Sequence, residues 1–136
     1  MKKLLAFFLS ALILLTFAVS VSAESVTFDF GGINKSSQLT ISGTTATCKS
    51  QIIELSGTVK SVTIKQTLQI HWFASWFLTV SNATWETTST SKSVTFQNTK
   101  SGLASGTYRV KSDFTVTTTS GQTETITVYS AEKTVS

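Results

Sequence analysis

The sequence predicts an all-β domain of two packed antiparallel sheets, and three observations predict it. Apolar residues alternate with Ser, Thr and other polar residues at the two-residue period of strands. Glycine-containing dipeptides interrupt that alternation at short intervals, as turns between strands do. Behind a 23-residue N-terminal segment lie 113 residues, enough for one domain with one core and too few for two.

The N-terminal segment, residues 1–23, has the three parts of a secretory signal peptide: the cations Lys2 and Lys3, the apolar run Leu4 to Val21, and Val21-Ser22-Ala23 as the small-residue cleavage site. A retained membrane anchor is the competing reading, because the run approaches the ~20 residues that span a bilayer. The abrupt change to Glu24-Ser25-Val26-Thr27 favours cleavage, and Glu24 in place of Cys gives no support to a lipid anchor. No later stretch is long and apolar enough for a transmembrane segment, so the expected product is a secreted, extracellular domain over residues 24–136. The formal charge of +4 falls to +2 once Lys2 and Lys3 leave with the leader. The remaining charges are scattered singly, which excludes a nucleic-acid footprint.

Taken in order, the expected strands are Val26 to Phe30, Leu39 to Ser42, Thr45 to Leu55, Val62 to Trp72, Phe77 to Thr87, Ser91 to Gln97, Tyr108 to Thr118 and Thr123 to Ala131. Thr suits their solvent faces because its branched β-carbon favours extended backbone. Val62 to Trp72 is the clearest: Val62, Ile64, Leu68, Ile70 and Trp72 share one face, with Gln66 the exception, and Thr63, Lys65, Thr67, Gln69 and His71 share the other. Tyr108 to Thr118 repeats the pattern, with Tyr108, Val110, Phe114 and Val116 inward; these two are the expected central strands. Adjacent Ile52-Ile53 breaks alternation and predicts a bulge or a strand covered on both faces. Gly31-Gly32, Ser42-Gly43, Ser56-Gly57, Ser101-Gly102 and Ser120-Gly121 mark turns.

Seven or eight short strands in this length point to an immunoglobulin-like antiparallel β-sandwich, with a small barrel second. Leu103-Ala104-Ser105-Gly106-Thr107-Tyr108 sharpens that expectation. A Tyr entering a core strand just after a turn resembles the tyrosine corner of such domains, whose phenol bonds back to the backbone; Val110 stands where an antibody domain has its second Cys. Cys48 is the only cysteine, so no intrachain disulfide exists. It is read as a buried small apolar residue, the alternative being an exposed thiol that pairs between chains.

Several phrases carry a family resemblance: Ile52 to Leu55 followed by Gly57-Thr58-Val59, Val62-Thr63-Ile64 with Thr67-Leu68-Gln69, and Leu78-Thr79-Val80 with Trp85. Gly106-Thr107-Tyr108-Arg109-Val110-Lys111 and Glu124-Thr125-Ile126-Thr127 with Tyr129-Ser130 continue it. From about Thr45 to its end the chain resembles uncharacterised short secreted proteins of Gram-positive bacteria, mainly clostridial and related Firmicutes. The resemblance implies one β-sandwich in an exported bacterial protein and brings no catalytic residue. The insert His71-Trp72-Phe73-Ala74-Ser75-Trp76-Phe77 is richer in aromatics than the corresponding linker of that family is expected to be.

Enzyme chemistry finds little footing. His71 is the only histidine, it sits among aromatics, and no Gly-x-Ser-x-Gly elbow accompanies the many serines. One His and one Cys do not make a zinc site, and Asp29, Glu54, Glu86, Asp113, Glu124 and Glu132 lack the spacing of a calcium loop. No glycine-rich phosphate loop is present, no cofactor is expected, and Asn82-Ala83-Thr84 is read as an unmodified chance match to the glycosylation pattern.

One cluster rises above this background. All three tryptophans lie between Trp72 and Trp85. They either fill the core, as a strand tryptophan does in immunoglobulin domains, or the connection after Trp72 projects from one end of the sandwich. Exposed, they imply a partner: a sugar ring, a membrane interface or another protein chain. The candidate ligand-binding residues are therefore Trp72, Phe73, Trp76 and Phe77. The expected function is a non-enzymatic extracellular interaction domain for a glycan or protein, with a homodimer across the aromatic end as an intermediate case. The alternative is a subunit that self-assembles by strand addition along proline-free edges, and an exported hydrolase comes third.

Overall fold

The computed structural model describes residues 34–53, 55 and 57–136. The expected leader, the strand Val26 to Phe30 and the turn at Gly31-Gly32 lie outside them, as do Glu54 and Ser56.

The described chain is all-β. Its eight strands are β1 (Asn34–Ser42), β2 (Thr45–Ile53), β3 (Val59–Phe73), β4 (Trp76–Ser89), β5 (Val94–Lys100), β6 (Gly106–Thr118), β7 (Thr123–Tyr129) and β8 (Lys133–Val135). They form two antiparallel sheets, β1-β2-β5 and β4-β3-β6-β7, rather than a closed barrel, with β8 also pairing β6. The two strongest sequence patterns, β3 and β6, are neighbours at the centre of the second sheet, in register from Val62↔Val116 to Ile70↔Tyr108.

The sheets pack through their inward faces. Leu39, Ala46 and Cys48 of the first sheet share one apolar cluster with Leu68, Tyr108 and Val110 of the second, and Ile41, Ile70, Val80 and Trp85 pack against it. Further along the same strands, Ile52 in one sheet and Ile64, Phe114 and Val116 in the other are fully buried. Between these apolar stretches β1, β2, β3 and β6 each place a polar residue inward at one level: Ser37↔Ser50 are partners in the first sheet and Gln66↔Ser112 in the second.

Those residues form a directed chain of hydrogen bonds. The Gln66 amide donates to Ser50 Oγ (2.7 Å), which leaves the Ser50 hydroxyl to donate to Ser112 Oγ (2.7 Å). Ser112 donates to Ser37 (2.8 Å), and Ser37 to the Val110 carbonyl (3.3 Å). The second Gln66 N–H reaches the Phe96 carbonyl (3.1 Å), and its oxygen accepts from Asn98 (3.0 Å). Gln66, the one break in the apolar face of β3, is thus saturated, as a buried amide must be to avoid a desolvation cost.

Threonine occupies the outer face of the second sheet. Thr88, Thr63, Thr115 and Thr125 form one row across β4, β3, β6 and β7, and their hydroxyls bond at 2.8 Å and 2.9 Å at the two sides of the row. Turns fall where glycine was expected: Gly43, Gly102 and Gly121 all take positive φ, which glycine adopts without a side-chain clash.

Three expectations need correction. Adjacent Ile52-Ile53 makes no bulge, because β2 pairs in unbroken register with both β1 and β5 across Ile52, and Ile53 sits half-buried at the strand end. Bulges occur on β3 and β4 instead, where Gln69 pairs Thr79 only two residues after Thr67 pairs Thr84, and where Trp72 is skipped between His71↔Phe77 and Phe73↔Trp76. Trp72 is not in the core: it lies beyond Ile70, where the β3–β6 ladder ends, and is 68% exposed. Strand β8 was not anticipated, being three residues long.

Candidate functional site

The β3–β4 hairpin runs past the end of the β6 ladder and closes through the two-residue turn Ala74-Ser75. Ala74 adopts φ 50°, a left-handed conformation that costs an L-residue about 1 kcal/mol. The His71 ring nitrogen Nε2 bonds the Ala74 carbonyl at 2.5 Å and steadies that turn. His71 also stands edge-on to Phe77, with ring centroids 5.2 Å apart. Among the described residues, the hydrogen bond and the ring contact of the only histidine are thus to a backbone carbonyl and a phenyl ring.

Pairing sorts the four candidate residues onto two faces, because cross-strand partners share a face and successive residues alternate. Phe73↔Trp76 share the side of Leu78 and Ile70, which is the extension of the core face. Trp72, displaced by the bulge, meets Phe73 with ring centroids 6.2 Å apart. Trp72 is 68% exposed, Phe73 66% and Trp76 67%, and Leu78 beside them is 49% exposed. Phe77 lies on the opposite, outer face with His71 and is half-buried. Three of the predicted residues thus form one apolar ledge and the fourth belongs to a different cluster. Of the three tryptophans only Trp85 joins the core, as a half-buried ring.

Phe77 is one side of a clamp on Arg109. The guanidinium lies 3.7 Å from the Phe77 ring centroid and 4.1 Å from that of Tyr129, and its Nε–H donates to Gln69 Oε1 at 2.8 Å. Gln69 is its partner across β3, while Tyr129 ends β7 one row away. Beyond Tyr129 the chain leaves β6 and returns as β8, and Ser130 fills the gap. Its N–H donates to the Val110 carbonyl (2.9 Å), its Oγ accepts from the Val110 N–H (2.8 Å), and its hydroxyl donates to the Ala131 carbonyl (2.9 Å). The detour opens a cleft of about 600 Å³ lined by His71, Ser75, Phe77, Arg109, Tyr129 and Glu132.

Sequence reasoning passed over Arg109 and Tyr129. One signal was present: Arg109 is the only arginine in the chain, on the polar register of a central strand.

Two other residues behave as expected. The Tyr108 phenol donates to the Ala104 carbonyl at 2.7 Å, pinning the loop before β6, and burial raises its pKa. Cys48 is fully buried, which removes the expectation of an exposed thiol that pairs between chains; burial pushes its pKa up to about 12. No protein-family model, curated protein or solved structure matches the chain.

Proposed function

We propose that the chain is an exported, non-enzymatic binding domain of immunoglobulin-like topology that engages an extracellular glycan, with the tip of the β3–β4 hairpin as its apolar anchor. The observation that carries it is the ledge of Trp72, Phe73 and Trp76, each about two-thirds exposed on one face of a hairpin that reaches beyond its own sheet. Folding gains nothing from leaving such rings in water, since each buries ~150–250 Å² when covered. A sugar ring stacks on such a face, and a protein surface receives it as a hot spot.

Several features support the finer reading. With β4 lettered C′ and no strand given the letter D, the sheets run A-B-E and C′-C-F-G, a layout of immunoglobulin-like domains. The bond from Tyr108 to Ala104 falls at the start of F, where a tyrosine corner belongs. The leader pattern supports export, and the family resemblance supports a bacterial source.

Acrylamide quenching of tryptophan fluorescence on the exported product, residues 24–136, tests the reading. Red-shifted emission with roughly two of three tryptophans quenchable is expected from their exposure. Blue-shifted, shielded emission from a monomer would overturn it; the same emission from a dimer would mark the ledge as a homodimer contact. Pull-down on insoluble polysaccharides, on protein-coated beads and on liposomes then separates glycan, protein and lipid partners.

Self-assembly by strand addition draws on one observation. Among the described residues β1 is an outer strand, pairs β2 in unbroken register over nine residues, and carries a single charge, Lys35. Strand β4 is a poorer template, because its bulge and the left-handed Asn82 (φ 56°) interrupt it. Mass that rises with concentration, and persists in a Trp72→Ser/Trp76→Ser variant, would favour assembly.

A further inference from the structure

We propose that the cleft beside Arg109 is a second binding site, for the carboxylate of an acidic saccharide. Arg109 holds the carboxylate, and Glu132 accepts hydrogen bonds from sugar hydroxyls. The inference takes its extracellular setting from the reading above, but it uses the opposite face of the hairpin and none of the ledge residues.

Arginine is a long, rotamer-rich side chain, and an exposed one ordinarily roams. Here two aromatic rings stack on its guanidinium at 3.7 Å and 4.1 Å, and Gln69 takes its Nε–H. The two terminal amino groups have no further partner among the described residues. A guanidinium with one edge tied down and the other edge free presents a fork of N–H donors whose geometry matches a carboxylate.

The neighbouring carboxylates make the site selective. Asp113, on the same face, pairs with Lys111 at 3.9 Å, and that is the only ion pair among the described residues. Glu132 lines the cleft but forms no ion pair with Arg109, so a fixed cation and an exposed carboxylate face one open space. A ligand that satisfies both carries one carboxylate and several hydrogen-bond donors. A phosphate or a dicarboxylate brings extra negative charge toward Glu132 and is disfavoured. About 600 Å³ falls within the range of small-ligand clefts and exceeds what an amino-acid head group fills. Tyr129, 48% exposed, has one ring face against Arg109, which leaves the other for the C–H side of a pyranose. A uronic acid combines these properties.

Ligand-observed saturation-transfer NMR on the exported chain, residues 24–136, tests the site with sodium D-glucuronate, D-glucose, sodium acetate and L-alanine as probes. Glucuronate is expected to bind with a Kd of about 1 mM, and each of the other probes about tenfold more weakly or worse. Arg109→Gln is expected to weaken glucuronate by about tenfold, and Arg109→Lys by nearly as much, since lysine keeps the charge but loses the fork. Glu132→Gln, on an exposed side chain whose replacement leaves the fold intact, is expected to weaken it about threefold. The Trp72→Ser/Trp76→Ser variant is expected to bind glucuronate as the parent does, so failure of the ledge reading and failure of this one are distinguishable. Equal binding of glucose, acetate or alanine overturns the proposal, the last two by pointing to a simple anion site and a zwitterion site. Undiminished binding by Arg109→Lys, or tighter binding by Glu132→Gln, overturns it as well.

Discussion

The middle of the sandwich and the tip of the β3–β4 hairpin depart from the usual sorting of residues in opposite directions. In the middle, Gln66, Ser50 and Ser112 are fully buried; at the tip, Trp72, Phe73 and Trp76 are two-thirds exposed. The buried polar groups explain themselves within the fold. Every hydroxyl of the chain from Gln66 to the Val110 carbonyl donates once and accepts once, and a one-residue slip of any strand would break the sequence of donors. Among the described residues nothing of the kind accounts for the exposed rings, which lie outside the apolar cluster between the sheets. A buried polar network here fixes register, whereas the exposed apolar ledge contributes no contact to the apolar cluster described between the sheets.

The largest expected effect tests the middle. Gln66→Leu strands the Phe96 carbonyl, the Asn98 amide and the Ser50 acceptor at once, and is expected to cost about 3 kcal/mol in a urea unfolding series. A loss below about 0.5 kcal/mol would mean that the network contributes little and that the contrast with the tip is only apparent.

Alkaline pH probes the same interior. The Cys48 thiol has its folded pKa pushed from 9.0 to about 12 by burial, so the native state keeps a proton that the unfolded chain releases. The stability this represents is intact below pH 9 and lost as pH rises from 9 toward 12, at roughly 1.4 kcal/mol per pH unit. Cys48→Ala is expected to flatten that part of the pH–stability curve, and Ellman's reagent should leave the native thiol unmodified at neutral pH.

Tyr108→Phe removes the bond to the Ala104 carbonyl and should lower the unfolding free energy by about 1–2 kcal/mol, with the packing of the ring retained. Nearer the tip the sign changes. Ala74→Gly relieves a left-handed alanine, and a gain of up to about 1 kcal/mol is expected. The smallest effect belongs to the ledge: Trp72→Ser and Trp76→Ser should each shift stability by less than about 0.5 kcal/mol while abolishing capture by polysaccharide. A loss of several kcal/mol in either would return these rings to a structural role.

How legible each region was follows from the range of the interactions involved. Two-residue alternation marked β3 and β6 as central, and glycine marked the turns at Gly43, Gly102 and Gly121, because both signals are local to the backbone. Gln66 stood out in sequence as a break in an apolar face. Ser50 and Ser112 did not, since serines on inward positions look no different from the many on outward ones in a Ser- and Thr-rich chain. The aromatic ledge was named as a candidate from clustering alone, yet Phe77 belongs to the Arg109 clamp, and Arg109, the only arginine, was not among the candidate site residues.

Trp72 shows where a chain's own pattern stops being informative. Alternation assigns it to the same side of β3 as Leu68 and Ile70, and the bulge that skips Trp72 brings Phe73 to that side as well. Whether that side is covered depends on what the opposite sheet places over it, and Trp72 lies outside the apolar cluster between the sheets, 68% exposed. Strand period, turn position and the single-cysteine interior are consequences of residues near one another in sequence, together with the general tendency to bury small apolar groups. The polar layer, the detour at Ser130 that opens the cleft, and the exposure of the ledge arise only when strands distant in sequence are set side by side, because each depends on what a partner strand supplies or leaves uncovered.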